Sequence, residues 1–302
     1  CGLYANWPDV LLRGQPSAVE HGQRAVELEP DNPKYHANLA YALKWQGNLQ
    51  AAREACAKAL SLDANQPEAN RTMAEILRRQ GDSDQALAFA QKAVEGYLYR
   101  PAAVNAYKTR GQVYAKLGRY QEALADFDKG LEMEPGIAYM HMGRGHVHAE
   151  FGRYQDALAD YMNAVQLGPK SVAILNDTAR AIVLYPGWET EAAAQAVNWA
   201  QQAVELHPDS YQAWNTLGMA RYRAGNWRAA IAALDKSETF SPGNSVGFNG
   251  IFVAMAHSQL GHHDEARQWY DKAVEWMDKN GPDDEVLLRF RAEAEELMGI
   301  EF

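Results

Sequence analysis

The stretch Gly118–Pro135, GRYQEALADFDKGLEMEP, is written again further along the chain as Gly152–Pro169, GRYQDALADYMNAVQLGP. Nine of the eighteen positions are identical, and Glu122/Asp156, Phe127/Tyr161 and Leu131/Val165 are near-synonyms. A chain that repeats at this period folds as a stack of like units, because one unit alone cannot bury its hydrophobic face. In the first copy Tyr120, Leu124, Phe127 and Leu131 recur at i, i+4, i+7 and i+11, the spacing of one helix face. Ala123 stands beside Phe127, small against large, as close helix packing requires. Each copy opens with a Gly that ends the preceding helix and closes with a Pro that stops its own.

A second helix precedes each copy. Ala106–Leu117 carries Tyr107, Gly111 and Tyr114 on one face, and Met140–Phe151 carries His141, Gly145 and His148 at the same places. The unit is a helix hairpin, and its inter-helix glycine tracks it along the chain. Those glycines are Gly47, Gly81, Gly118, Gly152, Gly225 and Gly261, at successive spacings of 34, 37, 34, 73 and 36. The gap of 73 holds one overlong unit.

A hairpin of this length with W-x2-L-G-x2-Y, then A-x3-F, then P resembles the tetratricopeptide repeat. Trp214, Leu217, Gly218, Ala230 and Pro242 follow the pattern, with Arg221–Tyr222 where the Tyr is expected. Tyr107, Gly111, Tyr114, Ala123, Phe127 and Pro135 follow it again. The register gives seven units over 33–280: 33–66, 67–103, 104–137, 138–171, 172–210, 211–246 and 247–280. The resemblance implies an all-α fold, a right-handed α-α superhelix of stacked hairpins, with a groove that takes a protein or peptide partner.

The fifth unit has LYPGWETEAAA in place of a tight turn, and its second helix, Ala196–Asp209, matches Ala18–Asp31. Pro8 then aligns with Pro186. Residues 1–32 read as a partial repeat of the same long type, truncated within its first helix, so the natural protein is expected to continue upstream. At the other end Gly281–Pro282 breaks the helix, and 281–302 reads as a capping helix striped with Val286, Leu287, Phe290, Ala294 and Leu297. Such a helix is expected to cover the last unit's hydrophobic face. The C-terminal part also resembles repeat tails of large bacterial signalling proteins. One alternative role is therefore the regulatory or targeting tail of a larger, kinase-linked enzyme.

Little in the sequence points to chemistry. GxxxxGK[ST], GxSxG, HExxH and paired CxxC are all missing, and repeats occupy the chain from about Pro16 onward. No catalytic residue, cofactor or metal is expected. Cys1 and Cys56 are the only cysteines, too few for a disulfide framework or a zinc site. Cys56 takes the position of Phe127 and Tyr161 and reads as a buried, inert thiol. The densest cluster is His141, His146, His148 and Glu150. His141 and His148 share a face, but both fall on Tyr-type packing positions, and packing is their expected role. His262, His263 and Asp264 read as a turn, and the pairs Glu122/Asp126 and Asp156/Asp160 as solvated carboxylates.

Although 47% of residues are hydrophobic, no run approaches the ~18–20 that span a bilayer. The net charge of −10 argues against a nucleic-acid partner. The compartment reads as cytoplasmic, with an envelope scaffold lipidated at Cys1 as the alternative.

The resemblance implies that the first helix of each unit lines the groove. The first unit supplies Lys34, Asn38, Tyr41, Lys44 and Trp45. The second supplies Glu68, Arg71, Glu75, Arg78 and Arg79, and the third Lys108, Gln112 and Lys116. His146 and Arg180 extend the lining further along. Over the first three units this is seven cations against two anions, on a chain of net −10. The expected ligand is an acidic segment, with Tyr41 and Trp45 as an apolar anchor, and reversing Arg71 and Lys108 is expected to abolish binding with the fold intact. The family's clamp for chaperone tails is not matched: Lys34 and Asn38 are misplaced, Glu75 follows Arg71, and Gly143 stands where a side chain is needed.

Overall fold

The computed structural model describes residues 16–97, 100–185, 190–243 and 246–300. Among them are sixteen α-helices and no strand. They fall into two compact units, Cys1–Val147 and His148–Phe302. The first unit contains α1 (Pro16–Leu28), α2 (Pro33–Trp45), α3 (Leu49–Leu62), α4 (Pro67–Arg79), α5 (Ser83–Gly96), α6 (Arg100–Lys116) and α7 (Tyr120–Met133). The boundary lies within α8 (Ala138–Glu150). The second unit continues with α9 (Tyr154–Leu167), α10 (Val172–Leu184), α11 (Thr190–Leu206), α12 (Tyr211–Arg223) and α13 (Trp227–Phe240). It ends with α14 (Val246–Gln259), α15 (His263–Asn280) and α16 (Glu285–Met298). Cys1, Pro8 and residues 186–189 of the long fifth-unit turn lie outside the described residues.

Consecutive helices pack as antiparallel pairs, α2 on α3, α4 on α5, α6 on α7, and again α10 on α11, α12 on α13, α14 on α15. Their ends are set by local chemistry. Asn32, Asn48, Asp82, Ser171 and Ser210 each accept a backbone N–H of the helix they precede. At each of the six inter-helix glycines φ lies between +71° and +87°, a region that costs glycine nothing. The residue after each glycine donates its N–H to the carbonyl five residues back, as Asn48 to Leu43 and Arg119 to Tyr114 do, closing the same turn every time.

Helix starts differ from the sequence expectation where proline or an inserted turn intervenes. α6 begins at Arg100 rather than Ala106, α8 at Ala138 rather than Met140, and α11 at Thr190 rather than Ala196. Proline in the first turn of α6 is accommodated because its missing N–H has no intrahelical partner there.

Packing follows the small-against-large rule. Phe127 of α7 is fully buried, clasped by glycines of two helices. A Cβ on Gly111 of α6 would lie 3.1 Å from its Cε2, and one on Gly143 of α8 would overlap its Cε1. Gly218 of α12 plays the same part against Leu234 of α13, where an added Cβ would meet Cδ2 at 2.6 Å. Gly145 is buried as well.

The second unit has one continuous core, and α16 joins it through Leu287, Phe290 and Ala294. α16 packs mainly on α14 and only lightly on α15. It is also tied to more distant first helices. Arg223, the last residue of α12, donates from both terminal nitrogens to Glu293, and Arg289 donates to the Leu184 carbonyl that ends α10.

Candidate functional site

The first helices α2, α4 and α6 are alternate members of an antiparallel series, so they run the same way and their neighbours touch. Between them lies a cluster centred on one carboxylate. Lys44 of α2 donates to Glu75 Oε2 of α4. Arg71, one turn back on α4, donates from Nη1 to Glu75 Oε1 at 2.8 Å, and Thr109 Oγ1 of α6 lies 3.2 Å from that oxygen. The Tyr41 ring lies beneath both cations, 4.6 Å from Lys44 Nζ and 5.2 Å from Arg71 Cζ. Trp45, exposed at its rim, meets Tyr41 edge-on at 6.2 Å. Tyr97, just past α5, shares a hydrogen bond with Arg71.

Electrostatics follow from that burial. Burial opposes ionisation of Glu75, but Arg71 and Lys44 outweigh it and hold its pKa down at about 2. Lys44 is 3% exposed, and burial lowers its pKa to about 8 although Glu75 pulls the other way. Burial raises the Tyr97 hydroxyl to about 12. Lys108 adds its field to Glu75 from α6.

The remaining sequence-predicted groove residues do not join this cluster. Arg78 is half-buried, its pKa lowered by burial, and its buried Nε–H has no acceptor. Arg79 and Lys116 are exposed in the last turns of α4 and α6, and neither makes an ion pair among the described residues. Asn38 and Gln112 are half-buried on α2 and α6. Lys34 is exposed at the opposite end of α2 from Lys44, about 15 Å away at 1.5 Å per residue. His146 is half-buried late in the first unit, whereas Arg180 belongs to the second, exposed and 3.8 Å from Asp177.

Two expectations change. Arg71 is bound to Glu75, so reversing its charge would set two carboxylates side by side and would not spare the fold. The pairs Glu122/Asp126 and Asp156/Asp160 are not uniformly solvated either. Glu122 and Asp156 are exposed, but Asp126 is buried and receives Arg110 through two bonds of 2.8 and 2.7 Å. Asp160 is buried 3.8 Å from His148 Nε2. In each case the second carboxylate of the i, i+4 pair is turned toward the preceding helix.

The histidines take structural positions. His141 Nε2 lies 3.1 Å from the Pro135 carbonyl oxygen, six residues back. His36 on Pro30, at 2.7 Å, and Trp214 on Pro208, at 2.8 Å, make the same contact in other hairpins. In α2, α8 and α12 a ring at this position ties the first helix to the proline that ends the hairpin before it. Among the described residues no group of three or more His, Cys, Asp or Glu side chains is placed to hold a metal ion. No helix among them is long and apolar enough to cross a membrane. Cys56 is fully buried, and burial pushes its thiol up to about 12.

Profiles of the tetratricopeptide repeat match residues 65–134, residues 16–70, 108–172 and 189–245, and residues 252–279. A tetratricopeptide repeat protein from Parabacteroides merdae superposes with a TM-score of 0.59 at 17% identity, covering 91% of this chain and 99% of that one. Yeast Tom70 superposes with a TM-score of 0.57 at 19% identity, covering 93% of this chain and 58% of its own. These likenesses concern the fold. The TPR repeat-containing thioredoxin TTL4 of Arabidopsis thaliana is 35% identical over 63 residues, 21% of this chain and 9% of that relative's length.

Proposed function

The chain belongs to the tetratricopeptide repeat family, and on that premise we propose that it is a non-enzymatic scaffold whose first-helix face in the first unit binds an acidic segment of a partner protein. The observation that carries this reading is an imbalance of charge around Glu75. One carboxylate already holds both Lys44 and Arg71, while half-buried Arg78 and exposed Arg79 and Lys116 make no ion pair among the described residues. An extended chain bearing several carboxylates would supply the missing acceptors along the last turns of α4 and α6. Trp45 and Tyr41 add an exposed aromatic edge of the kind that anchors interfaces.

The division of labour differs from a uniformly solvated trough. Lys44 and Arg71 are supports, since they fix Glu75 and link α2 to α4. Arg78, Arg79 and Lys116 are the contacts. Exposed ion pairs are each worth only about 0.2–1 kcal/mol, so affinity comes from several acting together and association is faster at low salt. A peptide array with matched acidic, amide and basic series tests the reading. Preferential retention of the acidic series, lost when salt is raised, is expected. Equal retention of the amide series would overturn it.

A further inference from the structure

In the first unit the side-chain contacts described above link each first helix to its immediate neighbours. α16 departs from that pattern. It is held by α14, by α12 and by the end of α10, so it lies across the first-helix face of the second unit instead of only closing the last hairpin. Its seat has two parts. The apolar part is an aromatic train in which Tyr222 of α12 meets Phe252 of α14 at 5.4 Å and Phe252 meets Phe290 of α16 at 4.9 Å, both edge-on. The polar part is Arg223, whose guanidinium lies over Phe252 and Phe290 at 5.7 and 5.5 Å and grips both oxygens of Glu293.

We propose that this face of the second unit is a binding site for an amphipathic partner helix carrying an aromatic residue and, three residues later, a carboxylate, and that α16 is the built-in competitor for it. Phe290 and Glu293 show the chemistry the site reads: a ring inserted beside Phe252 and an acid presented to Arg223 from the same helix face. α16 is attached along one face. Leu287, Phe290 and Ala294 are its buried side chains, Val286, Leu297 and Met298 pack partly buried beside them, and Leu288 faces solvent. A terminal helix joined to the rest along one face opens below the cost of global unfolding. The occupant that replaces it is a partner protein, not a second copy. Only Gly281–Asp284 join α15 to α16, about 14 Å fully extended, which keeps α16 beside its own groove. This inference is independent of the acidic-segment site in the first unit.

The test uses the chain of residues 1–302 and a fluorescent peptide with the sequence of residues 283–300. Hydrogen exchange of the wild-type protein should show α16 amides exchanging at least tenfold faster than those of α14. Phe290→Ala/Glu293→Gln should bind the peptide at least tenfold more tightly than wild type. A peptide with Ala in place of its Phe should lose that binding. Exchange of α16 and α14 at one common rate would overturn the proposal. So would a folded double variant that ignores the peptide, or one that instead forms a dimer.

Discussion

Lys44 of α2 and Glu75 of α4 form a buried ion pair that joins two successive hairpins across their first-helix face. Arg71 completes it from the turn below, at 2.8 Å. Removing the carboxylate leaves two cations facing each other in a poorly solvated place, whereas removing Lys44 leaves Arg71 and Glu75 still paired. Breaking a buried pair by deleting one partner costs about 3–5 kcal/mol. Glu75→Gln should therefore destabilise by about 3 kcal/mol, at the low end of that range, and Lys44→Met by clearly less. Urea midpoints at pH 7 measure both, and equal losses would contradict the network.

The same pair sets a pH dependence. Glu75 has its folded pKa held at about 2, below its ordinary 4.5, so its stabilisation is complete above pH 4.5 and is lost as pH falls toward 2. The gap in stability between wild type and Glu75→Gln should shrink through that window. Lys44 shifts in the same direction for a different reason, the burial of its charge. Its folded pKa is about 8 against 10.5, so between those values the unfolded chain binds more protons and stability rises with pH. Comparing wild type with Lys44→Met from pH 8 to 10 isolates this gain, which should be absent in the variant.

Gly143 should tolerate a methyl group worse than Gly111. Both face Phe127, but a Cβ on Gly143 would overlap the ring, while one on Gly111 stays 3.1 Å away. The ring cannot retreat, because the other glycine holds its far side. Alanine gains about 1 kcal/mol in helix propensity at either site, and overpacking costs about 1–3 kcal/mol. Gly111→Ala should be close to neutral and Gly143→Ala destabilising, with Phe127→Leu restoring the latter. Thermal melts showing the two substitutions equal would contradict this packing.

Cys56 should be chemically silent in the folded protein. With its thiol at about 12, only about one molecule in ten thousand carries the thiolate at pH 8, and the side chain is fully buried. In a Cys1→Ser background, where Cys56 is the sole thiol, a colorimetric disulfide reagent should react only after denaturant is added. Prompt reaction in buffer would contradict the burial.

Much of the fold was readable because the repeat writes its constraints locally. A glycine must stand where the backbone turns left-handed, and six of them carry the period of the repeat. Phe127 and Tyr161 were legible as core because their helical spacing names the buried face, and His141 as a packing residue because it takes the place of Tyr107. The groove was legible only as a set of cations. Whether Lys44 is solvated or buried depends on the angle between successive hairpins, which brings Glu75 to it from the next repeat and leaves no trace in local spacing. Asp126 was misread for a related reason: an i+4 partner suggests a shared face, but Arg110 on the neighbouring helix decides where it points. The seat of α16 depends on Arg223, far upstream of Glu293 on another helix, and helical periodicity carries no such information.

The acidic-segment site is tested most directly by fluorescence anisotropy of the tightest acidic peptide from the array, titrated with wild type and with Arg79→Glu/Lys116→Glu. Those two side chains are exposed and lie outside the Glu75 pairs, so the variant should keep the wild-type circular dichroism spectrum. Wild type should bind with an affinity that falls at least tenfold between about 50 and 300 mM salt, and the variant should not bind at low salt. Equal affinity of the two proteins, or an affinity indifferent to salt, would contradict the assignment of this face to an acidic partner.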